Sequence, residues 1–205
     1  MSNIENLFTI PVYKNSDYKL SEEEINTINH VCGFGKINKG QNLTTYERYL
    51  FDTYETLKKF KEYCQQQVNH YAHEVLKIDE KQKFYITQSW GNLNAPGTNH
   101  HPHVHLNSLI SAVYFVNGGS SPIVFEKNLS DYLFPNFEFV MKEFNEYNSD
   151  SWQIDNTENT LLLFPSTLKH FVPTNNNDFN RISVSFNVFV KGEIGDSSQA
   201  TELKL

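Results

Sequence analysis

The chain has 205 residues, 14% of them aromatic, and a formal net charge of −7 at neutral pH, a size that suits one all-β domain able to bury a sizeable core. It carries no basic stripe to neutralise a run of phosphates, so nucleic-acid binding is not expected. The first residues lack the basic segment and apolar run of a signal peptide, and no stretch reaches about 18 apolar residues, so the expectation is a soluble, cytoplasmic protein without a membrane partner.

In chain order, residues 7–13 read as a short strand broken by Pro11, which suits a sheet edge. Ser21 followed by Glu22, Glu23 and Glu24 predicts a capped helix start, with the acids at its positive end. Across residues 50–76, Tyr54, Leu57, Phe60, Cys64, Val68, Tyr71 and Val75 recur three or four apart, the pattern of one long amphipathic helix lying on something flat. Cys64 falls on that apolar face as a core residue, and neither it nor Cys32 stands in a paired metal spacing.

After Lys77 the pattern changes to strands, at 84–90, 108–116, 123–125, 160–164 and 181–190, separated by turn signals such as Ala95-Pro96-Gly97 and Asn117-Gly118-Gly119. Helices first and a sheet-rich body afterwards predict a mainly β fold with flanking helices, a double-stranded β-helix or jelly roll. The expected organisation is a single domain over 1–205, with 1–80 as helical support and 81–192 as the jelly-roll core. One stretch differs in composition: 128–158 carries seven acids (Asp131, Glu138, Glu143, Glu146, Asp150, Asp155 and Glu158) against Lys142, together with seven aromatic residues. It reads equally as a lid over a pocket and as a surface excursion packed on itself.

Chemistry concentrates in the histidines. His100, His101, His103 and His105 form one cluster, and His170 follows Phe164-Pro165-Ser166. In an extended segment His101, His103 and His105 share a face and His100 takes the other. A close pair plus a distant histidine can present three imidazoles to a first-row metal. Further on, Arg181, Ser183, Ser185 and Asn187 alternate with Ile182, Val184 and Phe186, so one face of that strand is polar. A guanidinium and a hydroxyl two residues apart suit a carboxylate.

H-x-H, then the strand Ser111-Ala112-Val113-Tyr114-Phe115-Val116, then Phe164-Pro165-Ser166 with a distal histidine, then R-x-S, resembles the Fe(II)/2-oxoglutarate-dependent oxygenase superfamily. Ser89-Trp90-Gly91-Asn92 before the cluster and R-I-S-V-S-F-N at 181–187 are similar to oxygenases of marine bacteria and their phages. The resemblance implies a jelly roll that binds Fe(II), 2-oxoglutarate and O2 and hydroxylates a protein side chain or a small amino-acid-like substrate. It assigns His103 as proximal ligand, His170 as distal ligand, and Arg181 with Ser183 as the clamp on the far carboxylate of 2-oxoglutarate. The superfamily usually places Asp or Glu two residues after the proximal histidine, where this chain has His105. The third position is therefore open to His105, to water, or to a carboxylate such as Glu126. Asn92 fits a polar contact to the cosubstrate and equally a turn; Asn187 shares the face of Arg181. Two other readings compete: a cupin-like three-histidine dioxygenase or isomerase, and a non-catalytic metal-binding module.

Overall fold

The computed structural model describes residues 4–119, 121–128 and 137–205. Strand β1 (Tyr13–Asn15) precedes helix α1 (Glu22–Gly33), the short strands β2 (Lys36–Ile37) and β3 (Leu43–Thr44), and helices α2 (Leu50–Thr53) and α3 (Lys58–His70). Next come β4 (Lys83–Asn94), β5 (His100–His103), β6 (Ile110–Phe115), β7 (Ile123–Glu126), β8 (Ser151–Ile154), β9 (Thr160–Pro165), β10 (Lys169–Val172) and β11 (Arg181–Lys191). A hairpin of β12 (Glu193–Ile194) and β13 (Leu203–Lys204) ends the chain. A seven-stranded sheet in the order β1-β9-β6-β11-β4-β3-β2 faces a four-stranded sheet in the order β5-β10-β7-β8, with antiparallel ladders throughout. This is the expected jelly roll.

Strands β6 and β9 are largely apolar on both faces because each face meets a different layer. Ile110, Ala112, Tyr114, Leu161, Leu163 and Phe186 join Ile28, Leu57, Phe60, Cys64 and Val68 in a core between the large sheet and the helices. Val113, Phe115, Leu162 and Phe164 turn the other way and meet Ile123 and Phe125 of the small sheet. No described helix is long and apolar enough to cross a membrane.

Strand β4 shows how the two layers share one segment. Ser89 accepts a hydrogen bond from the Phe51 backbone at 2.9 Å on the helix side. Gly91 lies beneath α1, where an added Cβ would fall against the Cys32 Sγ. Trp90 and Asn92 alternate with them and line the space between the sheets. Opposite Asn187 and Val188 the ladder skips Thr87. This bulge shifts the parity of β4, so Phe84 and Ile86 still pack on the helix side.

Several local expectations shift. The N-terminal edge strand forms at Tyr13–Asn15, after Pro11, rather than over 7–13, because a proline cannot donate to the ladder. Ser21 caps α1 in a full capping box with Glu24, as its spacing predicts. The helix read over 50–76 is broken at Tyr54, whose backbone is extended, and it ends in a π-helical turn at Tyr71–Val75. The break lets Leu50 and Phe51 turn into the core alongside Leu57 and Phe60. Both cysteines are free and buried, and burial pushes the Cys32 thiol up to about 12.

Asp131, Tyr132 and Phe134 of the acidic, aromatic stretch lie outside the described residues. Its described part leaves Phe137, Phe139 and Phe144 exposed before the chain enters β8 at the edge of the small sheet.

Candidate metal centre and anion pocket

Strands β5 and β10 pair with His103 directly opposite His170, which sets two imidazoles side by side on the inner face of the small sheet. Their ring centroids are 4.4 Å apart. Two residues later the chain is tied by a 3.0 Å hydrogen bond from the His105 backbone to Ser166 O, which brings His105 Nε2 to 3.3 Å from His170 Nε2. One nitrogen from each of His103, His105 and His170 lies within 4.8 Å of the others.

The surroundings prepare these rings as ligands. His103 Nδ1 lies 2.8 Å from His101 O, and His170 Nδ1 lies 2.9 Å from Leu168 O. A carbonyl only accepts, so each Nδ1–H donates and each Nε2 keeps a free lone pair. Asn187 hydrogen-bonds the ring of His105 and accepts from Ser111 Oγ at 3.4 Å. Ser111, Ser166 and Ser108 continue as a chain of hydroxyl contacts of 2.8 Å. Trp90 stacks on His105 with centroids 5.7 Å apart. Burial, reinforced by neighbouring His103, pushes His170 down to about 3 and His105 to about 4; burial also lowers His103. All three are therefore neutral at physiological pH, the form that binds metal.

The expectation that His100 faces away from His103 does not hold. Between His170 and Val172 the register to β5 slips, so that three residues of β5 span two of β10. The irregularity falls at His101–Pro102, where proline has no N–H for the ladder. It returns His100 to the inner side, stacked on His103 at 4.7 Å and lining the cavity. Glu126 pairs with Lys169 at 2.8 Å, while its neighbour Phe125 packs between the sheets; the carboxylate points outward, away from the three histidines.

Arg181 lies at the other end of the same cavity, at the start of β11. It is 1% exposed. Its Nε donates to Ser121 O at 3.1 Å and its guanidinium sits 5.2 Å over the Phe115 ring, but Nη2 has no hydrogen-bond partner among the described residues. Burial lowers its pKa to about 10, so the group remains charged with no described acid to offset it. Ser183 lies two residues on, on the same face and in the cavity wall. Asn92 also lines the cavity; its amide is tied to Thr44 at 3.1 Å and Ser185 at 3.1 Å. Three neutral imidazoles suit iron, and an orphaned buried guanidinium beside a hydroxyl suits one carboxylate. The residues present thus fit a metal and a dicarboxylate. Sequence reasoning assigned no role to Trp90 or to the Ser108–Ser166–Ser111 chain, although Trp90, Ser111 and Ser166 stand in the segments that carry the resemblance; the alternation of β4 was the available signal for Trp90.

Comparison with known proteins agrees with this geometry. Sequence comparison with curated proteins finds no match. Among solved structures, an oxidoreductase of the 2OG-Fe(II) oxygenase family from Burkholderia pseudomallei superposes with a TM-score of 0.58 at 9% identity, covering 86% of this chain and 83% of that one. A prolyl-4-hydroxylase from Pseudomonas putida gives 0.54 at 12% identity, covering 88% and 94%. HygX from Streptomyces hygroscopicus, solved with nickel and 2-oxoglutarate bound, gives 0.54 at 8% identity, covering 88% and 83%. At such identities these likenesses establish the fold. Residues 88–187, which run from β4 through both histidine positions to Asn187, match the family model described as "Putative 2OG-Fe(II) oxygenase".

Proposed function

We propose that the chain is a hydroxylase acting on a protein side chain or a small amino-acid-like substrate, with Fe(II) held by His103, His105 and His170 and the far carboxylate of 2-oxoglutarate held by Arg181 and Ser183. One observation carries this reading: a single cavity joins three neutral imidazoles to a buried guanidinium whose Nη2 lacks a described partner. When bound, Fe(II) with 2-oxoglutarate and O2 supplies the oxidising power for hydroxylation, with succinate and carbon dioxide as coproducts.

The chain's own residues bind, orient and exclude water. Backbone carbonyls at His101 and Leu168 fix the ring orientation of two ligands, and Asn187 holds the third. Arg181 offers a planar donor pair and Ser183 a hydroxyl to one carboxylate, which fixes the opposite end of the cosubstrate at the metal. Asn92 borders the cosubstrate as part of the polar wall. Trp90, Val113, Ile123 and Phe164 supply apolar walls that keep water from the reacting centre.

The whole chain acts as one oxygenase unit in this reading, with residues 1–80 bracing 81–192 and 128–158 serving as a lid. The described acids of that stretch, with exposed Phe137, Phe139 and Phe144, favour a cationic or amphipathic substrate, and a prolyl hydroxylase among the similar structures is a precedent for a protein side chain. The three-histidine donor set also suits a cupin-like dioxygenase, but that reading leaves Arg181 without a purpose.

The test is anaerobic titration of Fe(II)-loaded protein with 2-oxoglutarate, followed by the visible charge-transfer band of the chelate. The band is expected in the wild type, and Arg181→Ala should weaken cosubstrate binding by on the order of a hundredfold, the effect of truncating one partner of a buried charge pair. Bound iron without a band would overturn the proposal.

A further inference from the structure

Three buried side chains form a row across the deep end of the large sheet's inner face. Arg181 and Asn94 are direct partners between β11 and β4, and directly opposed residues share a face, with Cβ atoms about 4.5–5.5 Å apart. Asn42 immediately precedes β3, which pairs Leu43 with Leu93 and Thr44 with Asn92, so the same antiparallel register continued by one residue would set it opposite Asn94. Asn42 and Asn94 are 0% exposed. Neither atom of either amide has a hydrogen-bond partner among the described residues, and Arg181 Nη2 is in the same condition. Five of the nine such buried atoms among the described residues therefore lie in this one row.

An unpaired polar group in the interior is costly because it gives up its hydrogen bonds to water, and in native interiors such groups point to a missing ligand or water. The structure around the row is otherwise satisfied. Asn92, one step along β4, is bonded on both sides. Asn175 donates to Asn94 O at 2.8 Å and to Phe179 O at 2.9 Å, and accepts from Ser121 Oγ at 2.9 Å. The wall is complete, and the orphaned donors belong to side chains on the cavity side of the sheet.

We propose that Asn94 is a third donor to the far carboxylate of 2-oxoglutarate, its amide nitrogen joining Arg181 Nη2 and the Ser183 hydroxyl, while its amide oxygen is left toward Asn42. This rests on the cosubstrate reading above and adds a residue to it. A carboxylate offers about four lone-pair sites, enough for all three groups. The arrangement selects for a keto acid with a second carboxylate, because a monocarboxylate would leave the Arg181 guanidinium and the Asn94 amide nitrogen unpaired in the interior.

The experiment is calorimetric titration of Fe(II)-loaded protein with 2-oxoglutarate under anaerobic conditions, in wild type, Asn94→Leu and Asn94→Asp, with the melting temperature of each ligand-free protein. Asn94→Leu is expected to raise the 2-oxoglutarate Kd roughly tenfold and leave Fe(II) affinity unchanged. Asn94→Asp sets a carboxylate beside Arg181 where the cosubstrate should bind, so it should raise the Kd more than Asn94→Leu does and raise the melting temperature of the ligand-free protein. If Asn94→Leu does not fold, Asn94→Asp decides. Variants that bind 2-oxoglutarate as the wild type does would overturn this inference alone and assign the amides to ordered water. A wild type that takes up Fe(II) but not 2-oxoglutarate would overturn the function reading with it.

Discussion

The two faces of β11 and β4 follow opposite rules. Toward the helices, Ile182, Val184, Phe186 and Val188 are buried against Leu57, Phe60 and Phe51, with no polar side chain of β11 among them. Toward the small sheet, Arg181, Ser183, Ser185 and Asn187 are as deeply buried, yet they face histidines, amides and unpaired donors. The same strand thus stabilises the fold on one side and keeps unsatisfied polar groups on the other. Burial alone does not separate structure from function here; the state of the hydrogen-bonding atoms does.

The largest expected effect breaks the apolar side. Phe186 is fully buried, with its ring 5.7 Å from that of Phe51, and Phe186→Ala should destabilise the protein by about 3–5 kcal/mol, read as a lower urea midpoint at unchanged slope. Arg181→Met keeps much of the volume of the native side chain and removes a buried charge that has no described acidic partner, so it should leave stability unchanged or raise it. Equal losses from the two variants would mean that the inner face also holds the fold together.

The second effect follows from the neutral histidines and sharpens the same contrast. An unfolded histidine titrates near 6.5, whereas burial holds His170 at about 3 and His105 at about 4. Between those values the unfolded chain binds protons that the metal-free fold does not. Stability is therefore complete above about pH 6.5 and falls as the pH drops toward 3–4, by up to about 1.4 kcal/mol per pH unit for each ring. Urea midpoints of metal-free protein from pH 7 to pH 4.5 would show it. A flat profile would mean that the rings are more solvated than their burial implies.

The alternation of β11 was legible in the sequence because a strand's period of two is rigid, and so were the sheet-rich body after Lys77 and the cap at Ser21. The grouping of His103, His105 and His170 was legible as spacing, and the structure gathers one nitrogen of each within 4.8 Å of the others. What escaped were features decided by register. The Thr87 bulge, the slip at His101–Pro102 that returns His100 inward, and the break at Tyr54 each change which way the following residues face. Each depends on pairing with a distant segment, which local periodicity does not encode. The unpaired amides of Asn94 and Asn42 depend on two such registers at once.

The smallest expected effect concerns Glu126, the one carboxylate that the sequence offered as an alternative to His105. It lies on β7 beside Phe125, and consecutive residues of a strand face opposite sides. Phe125 occupies the space between the sheets, so Glu126 meets Lys169 at the outer surface, with the two side chains 33% and 55% exposed. A pair that open to solvent contributes about 0–1 kcal/mol. Glu126→Gln should therefore lower stability by no more than that and leave Fe(II) affinity unchanged, whereas His105→Ala should reduce Fe(II) affinity. The reverse result, iron lost with Glu126 and kept without His105, would require β7 to turn its outer face inward. The central pairing of Phe125 with His170 across β7 and β10 would then have to slip by one residue and carry Phe125 out of the core.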